Sequence, residues 1–325
     1  MKSGSYFPTI GILGAGQMAR MLIEAATRLN IEIKLLSKSS EESAVLIANN
    51  VIVGDINNYS DLSVFALDTD VITFDLQKFP YETLKKLEKE GQVFRPQIST
   101  IKHLENSDFV KKTLVDANLP FQDKVDNFER LLSVQAARSE HGQTVVYSVV
   151  QIKKIDEILD EVIAPAPNLS DAHASELQSI TLKISELFDI QGVFTVDFFD
   201  LGNNKFIISQ IMLGPTNSSL WTIDGATTSQ FENHLRAILN LPLGSPKLLA
   251  PTTVMVNVLG GKYLDMYKPF LHCMAHDPEL RIHLYGKEVK PGRKVGHVNI
   301  SGLNLNDLLE RAHHAADYLT GRITE

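Results

Sequence analysis

"TIGILGAGQMARMLIEAATRLNIEIKLLS", residues 9 to 37, starts as an apolar run, turns on two glycines, continues as an amphipathic stretch and closes on a second apolar run. The periodicity changes from strand-like to helix-like and back, which predicts strand, tight turn, helix, strand. A helix of that length between two strands brings them side by side in parallel. The unit is then repeated in outline. "NVIVGD" (50 to 55) and "DVITFD" (70 to 75) read as further strands, separated by the helical stretches "YSDLSVFALD" and "YETLKKLEKEG", with Ser60 and Pro80 as helix-start signals. The first hundred residues therefore predict an α/β domain, a parallel sheet with helices on its faces.

Past residue 100 the pattern changes. "ENSDFVKKTLVDANLP" predicts one helix ending at Pro120, and the polar run "FQDKVDNFERLL" leads from it into "SVQAARSEHGQTVVYSVVQI", two strands about a turn at His141-Gly142. After the loop "IAPAPNLSD" comes a helix, "ASELQSITLKISELFD", with Ser170 and Asp171 as start signals. "GVFTVDFFDLGNNKFIISQI" predicts a hairpin turning at "GNN", and "SQFENHLRAILNLPLG" another helix. Short strands and a final helix fill residues 251 to 325.

Bulk properties narrow the classes of function. The 325 residues, 44% hydrophobic and 22% charged, suit two or three modest globular domains. A net charge of −8, from 39 acids against 31 bases, argues against nucleic acid as a partner. The single cysteine, Cys273, permits no internal disulfide and no cysteine zinc cluster. "MKSGSYFPTIGILGAGQMAR" has no signal-peptide apolar region, and no run approaches the roughly 18 apolar residues of a membrane span. A soluble cytoplasmic protein without a membrane partner is expected.

Two clusters could hold an anion. "GAGQMA" places Gly14, Gly16 and Gln17 in a G-x-G-x-x-G/A fingerprint, with the N–H groups of a helix start beyond it. A dinucleotide site also needs an acid at the end of the second strand, where this chain has Leu35-Leu36-Ser37-Lys38. A nicotinamide-linked oxidoreductase is thus disfavoured, with Lys38 leaving a phosphorylated cofactor open. In the blander alternative the glycines only let a helix pack close to a strand. "YGKEVKPGRKVGHVNI" (285 to 300) gathers Lys287, Lys290, Arg293 and Lys294 on a Gly-Pro turn, suited to phosphate or simply to solvent. Elsewhere, His313-His314 are expected at a helix end or in solvent. His272 and His276 lack a third metal ligand, Cys273 reads as a small buried apolar residue, and Trp221 as an anchor in the core or at a subunit contact.

Together these stretches resemble the ATPase subunit of phosphoribosylaminoimidazole carboxylase, also called N5-carboxyaminoimidazole ribonucleotide synthetase, an ATP-grasp family. "GILGAGQMARML", "SVQAARSEHG", "IAPA", "GVFTVDFF", "NSSLWTIDGATTSQFENHLRAILNLPLG", "VMVNVLGGK" and "YGKEVKPGRKVGH" carry the resemblance almost end to end. It implies a Rossmann-like pre-ATP-grasp domain (1–103), an ATP-grasp body (104–250), truncated here, and a small β-rich C-terminal domain (251–325). It also implies a homodimer. The family reaction uses ATP and Mg to activate bicarbonate, which passes to the exocyclic amine of aminoimidazole ribonucleotide.

The departures lie on the ATP side. Only seven residues separate Pro120 from Phe128, where the family has a subdomain covering the ATP phosphates and holding adenine. The family's "E-[LI]-S-V" acid corresponds to Leu131. Its "QDR" corresponds to Glu105, Asn106 and Ser107, with Lys111 remaining, and its "EN-x-H" to residues 151 to 154. Its "NEIAPRPHNSGHWT" corresponds to residues 209 to 222. There Ser209 replaces Asn, Gln210 the metal-binding Glu, Gly214 the Arg, and Thr216 and Leu220 the two His, while Asn217 is kept. Asp197 could stand for the other metal acid. The resemblance places Gly14, Gly16, Gln17, Lys287, Arg293 and Lys294 around the ribonucleotide, with Asp75 at the first Glu of the family's "EFEN" and Gln77 at the second. A neutral Gln beside one Asp is a poor Mg site. The expectation is a non-catalytic or impaired relative, without a cofactor of its own, that keeps a phosphorylated-ribonucleotide site. The alternative is an active synthetase with an unusual or partner-completed ATP site.

Overall fold

The computed structural model describes residues 7–76 and 78–324, so Gln77 lies outside the described residues. Strands β1 (Thr9–Leu13), β2 (Glu32–Ser37), β3 (Val51–Val53) and β4 (Val71–Phe74) form a parallel sheet in the order β3-β2-β1-β4. Right-handed crossovers of short chain length favour this order, with the first strand at the centre. Helix α1 (Gln17–Arg28) buries Ala19, Met21, Leu22, Ala25 and Ala26, the stripe its periodicity predicts. Helix α2 (Tyr59–Ala66) begins one residue before Ser60. Its cap is Asn58, whose side chain accepts from the Ser60 N–H, and Pro80 precedes α3 (Tyr81–Lys89).

The helix expected over 105 to 120 is present but shorter, from Ser107 to Asp116, and a further helix that was not expected precedes it. Helix α4 (Ile98–Glu105) ends at Asn106, whose extended backbone breaks the run and whose side chain caps α5 (Ser107–Asp116) through the Phe109 N–H. Asn competes for backbone partners, so it reads as helix interior by periodicity yet acts as a boundary.

From Arg130 a second sheet begins. Its strands are β5 (Arg130–Arg138), β6 (Thr144–Val146), β7 (Val150–Ile155), β8 (Ile158–Ala164), β9 (Gly192–Asp200), β10 (Phe206–Leu213), β11 (Thr252–Leu259), β12 (Arg281–Leu284) and β13 (Lys294–Gly302). The order is β10-β9-β5-β7-β8-β11-β13-β12, with β6 paired to β5 off this path. β11 pairs antiparallel with β8, so the C-terminal strands extend the central sheet and do not form one of their own. Ser170 caps α6 (Asp171–Leu187), as its start signals predict. The remaining helices are α7 (Thr222–Gly225), α8 (Gln230–Ile238), α9 (Tyr267–His276) and α10 (Leu305–Thr320).

One core joins the two sheets. Ile10, Ile12 and Leu22 of the N-terminal part pack in the same cluster as Trp221, Phe231, Met255 and Tyr285. His234 of α8 spans the junction. Its Nε2 lies 2.8 Å from Thr73 Oγ1 on β4, and its Nδ1 accepts from the Val193 N–H on β9 at 3.2 Å.

Candidate ribonucleotide site

The glycine turn after β1 is shaped by Asp75. At Gly14 φ is +99°, and an added Cβ would come 2.2 Å from the Asp75 carbonyl oxygen, so no other residue fits. A Cβ on Gly16 would come 2.8 Å from Asp75 Oδ2. That oxygen accepts the Ala19 N–H at 3.0 Å, so the start of α1 is filled by the chain's own carboxylate. The expectation that these N–H groups face a bound anion is corrected here: Asp75 takes that place. Burial pushes the Asp75 carboxyl up, against the N–H groups of Ala19 and Gly16 and the Lys287 charge, which draw it down.

Gln17, the first residue of α1, faces the basic turn. Lys287 Nζ donates to Gln17 Oε1 at 2.6 Å, Gln17 Nε2 donates to Asn217 Oδ1 at 2.8 Å, and Lys294 Nζ donates to the same Oδ1 at 2.7 Å. Two cations from the C-terminal strands thus meet two amides, one from α1 and one from the loop after β10. Burial, then each lysine's cationic neighbour, lowers both lysines from their ordinary range, Lys294 well below it. Two ammonium groups this close, turned on amide oxygens, suit a phosphoryl group, whose oxygens would replace those amides. Arg293 is not among them. It is exposed and donates to the Glu288 carbonyl, while Lys290 pairs with Glu288.

Asn217 also lines a cleft of about 620 Å³ between the sheets. Its floor is set by register. Gln210 on β10 pairs with Asp197 on β9, which pairs with Ser133 on β5, so the three side chains leave the sheet on one face. Ser133 Oγ donates to Asp197 Oδ1 at 2.6 Å. Asp197 is 3% exposed, and burial raises its carboxyl to about 6. Leu131 lies on the same face, paired with Phe199. With Ser209, at the bulge in β10, Leu131 opens on a second cleft of about 1200 Å³, beside the segment between α5 and β5. That segment has no helix or strand, only an isolated bridge from Phe121 to Ile208.

A divalent ion does not suit this floor. A hard cation needs several anionic oxygens, and the residue beside Asp197 is a neutral amide. Among the described residues no group of three His, Cys, Asp or Glu could hold a metal. The loop after β10, residues 214 to 221, has no charged side chain and is held by neutral hydrogen bonds. Gln230 Oε1 accepts from the Thr216 N–H at 2.9 Å and from Gln135 Nε2 at 2.6 Å, its Nε2 donates to the Thr216 carbonyl, and Thr216 Oγ1 lies 3.0 Å from Thr195 Oγ1.

Gly14, Gly16, Gln17, Asp75, Lys287, Lys294 and Asn217 therefore come together. Asp197 and Gln210 sit in the adjoining cleft, Leu131 and Ser209 line the second one, and Arg293 is exposed, near enough to Lys287 to act on its charge but bonded to the Glu288 carbonyl. Sequence reading missed Gln230, Gln135 and Tyr285, whose hydroxyl lies 2.8 Å from His297 Nδ1 beneath the basic turn. Their roles depend on long-range pairing that leaves no local signal. His313, expected at a helix end or in solvent, instead meets the buried Glu161 of β8 at 2.6 Å. Trp221 is buried edge-on to Tyr147, and Cys273 is buried.

Known proteins share this architecture. Family models match for the ribonucleotide synthetase preATP-grasp domain at residues 7–103, the ATP-grasp domain at 97–231, and the phosphoribosylaminoimidazole carboxylase C-terminal domain at 253–311. The N5-carboxyaminoimidazole ribonucleotide synthase of Mycobacterium bovis is 31% identical in an alignment of 383 positions, covering 98% of this chain and 89% of the relative. The N5-carboxyaminoimidazole ribonucleotide synthetase structure from Thermus thermophilus matches with a TM-score of 0.87 and 27% identity, over 97% of this chain and 99% of that one. The Aspergillus clavatus N5-carboxyaminoimidazole synthase, solved with ADP and 5-aminoimidazole ribonucleotide, matches with a TM-score of 0.86 and 25% identity, over 98% and 99%.

Proposed function

Because this chain belongs to the N5-carboxyaminoimidazole ribonucleotide synthase family of purine biosynthesis, we propose that it binds an aminoimidazole ribonucleotide by its phosphate at Lys287, Lys294, Gln17 and Asn217, and that its ATP-dependent step is impaired. The observation that carries the first part is the pair of half-buried lysines turned on amide oxygens. Each amide acceptor is uncharged, so a phosphate dianion that takes its place adds an ion pair to the hydrogen bond.

Three observations support impairment. The segment between α5 and β5 is too short for a further subdomain and borders the open 1200 Å³ cleft. The alignment with the mycobacterial relative runs over more positions than this chain has residues, as a lost segment would require. Gln210 faces Asp197 where phosphoryl transfer would need a second fixed anion for its metal.

The second reading is an active synthase whose ATP clamp is unusual or completed by a partner chain. The comparisons favour it over the first: the ATP-grasp model matches across 97–231, and the relatives that match nearly end to end carry the synthase name.

Calorimetric titration and an assay of ADP release separate them. If the step is impaired, 5-aminoimidazole ribonucleotide binds at least about tenfold more tightly than Mg-ATP, and no substrate-dependent ADP appears. ADP release with bicarbonate at ordinary enzymatic rates, about 1 s⁻¹ or faster, selects the second reading. Failure of any phosphorylated ribose to bind removes the proposed cradle.

A further inference from the structure

The floor of the 620 Å³ cleft does not suit a metal but presents a pair of polar groups. Asp197 Oδ1 is held by Ser133, leaving the other carboxylate edge toward the cleft. Gln210, its cross-strand neighbour, is exposed to the cleft, and its side-chain amide makes no hydrogen bond among the described residues. This pair is close to the phosphate cradle. Asn217, which receives Lys294 and Gln17, is followed by Ser218, whose Oγ lies 3.3 Å from Ser133 Oγ, the donor to Asp197. Asn217 belongs both to the lysine cluster and to the lining of this cleft, so the cleft is the space in which the base of a ribonucleotide held on the lysines would lie. Apolar side chains, among them Met18, Leu76 and Phe79, also line it.

We propose that Asp197 and Gln210 select the base of the bound ribonucleotide, favouring an aminoimidazole with a neutral carboxamide on the neighbouring ring carbon over one with a carboxylate. The inference rests on the ribonucleotide reading given above. A carboxamide is complementary to the pair: its N–H₂ donates to the Asp197 carboxylate while its carbonyl accepts from the Gln210 amide. A carboxylate offers acceptors only. It would be desolvated beside Asp197 in a cleft whose charged lining is Glu105, Asp197 and a single cation, Lys154. Without a divalent ion between the two carboxylates, like charges oppose each other. With the neutral Gln210 beside Asp197, the floor reads neutral hydrogen-bonding groups.

Calorimetry on the full chain tests this with three probes: the 4-carboxamide of 5-aminoimidazole ribonucleotide, the corresponding 4-carboxylate, and ribose 5-phosphate, which has no base. The carboxamide is expected to bind about tenfold or more tightly than the carboxylate. Asp197→Asn, which removes the repulsion, should narrow that ratio to about threefold or less, and Gln210→Glu, which cannot donate, should weaken the carboxamide about fivefold or more. Ribose 5-phosphate reports whether each variant still has its cradle. Equal affinity for carboxamide and carboxylate in the wild type, or a ratio untouched by Asp197→Asn, overturns the inference while ribose 5-phosphate binding keeps the ribonucleotide reading intact. If ribose 5-phosphate and both nucleotides all fail to bind, both readings fall together.

Discussion

Lys294 and Asp197 are both desolvated, and the consequences run in opposite directions. Lys294→Met removes the cation that meets Asn217 and should weaken ribonucleotide binding about tenfold or more by calorimetry. The same change relieves an ammonium whose charged form burial already disfavours, so the melting temperature should hold or rise. Asp197 titrates near 6 in the folded chain against 3.8 unfolded, so the folded state binds the proton more tightly between those values. The contribution of Asp197 to stability is most favourable below 3.8 and worsens as pH rises to about 6, the full penalty being about 3 kcal/mol above it. Asp197→Asn should therefore stabilise the protein at pH 7 and make no difference near pH 3, as denaturant melts at the two pH values would measure. Were this carboxylate a metal ligand in a working site, the same substitution would abolish turnover without such a gain.

At the scale of elements, the loop between β10 and α7 is positioned by packing and neutral hydrogen bonds, with no ion pair of its own among the described residues. Trp221 is 1% exposed, and Trp221→Ala should cost about 3–5 kcal/mol in equilibrium unfolding. Gln230 is fully buried and serves both backbone groups of Thr216. Gln230→Ala leaves them unpaired and should cost about 2–3 kcal/mol, while Gln230→Glu should cost more because it buries a charge. These elements differ in how far the chain announced them. The β1-α1-β2 unit, the hairpin of β9 and β10, and α6 were legible because a strand or helix repeats its pattern within a few residues. Helix α4 was not, nor the start of α5 at Asn106, since one side chain's choice of backbone partner decided that boundary. Nor was the position of Arg293, whose turn carries the right charges but aims only its neighbours Lys287 and Lys294 inward.

Across the whole molecule, His234 ties the parallel sheet to the antiparallel one. Burial lowers its imidazole to about 4, while the unfolded chain takes up a proton near 6.5. Stability is unaffected above 6.5 and declines as pH falls toward 4, by up to about 3 kcal/mol. His234→Gln should flatten that part of the pH–stability curve, and hydrogen exchange at pH 5 should show the wild-type junction around Thr73 and Val193 opening first. By itself the sequence determined the α/β class, the parallel start, most element types and the family resemblance, because periodicity, turn chemistry and motif spacing are local. It also singled out Gly14, Gly16, Gln17, Asp75, Lys287 and Lys294, which the fold brings together with Asn217. Only tertiary structure decided that Asp75 fills the start of α1, that β11 joins β8 to make one continuous sheet, and that Asp197 faces Gln210. Those outcomes depend on which distant backbone edges and buried polar groups find one another on collapse, and no short window of sequence contains both partners.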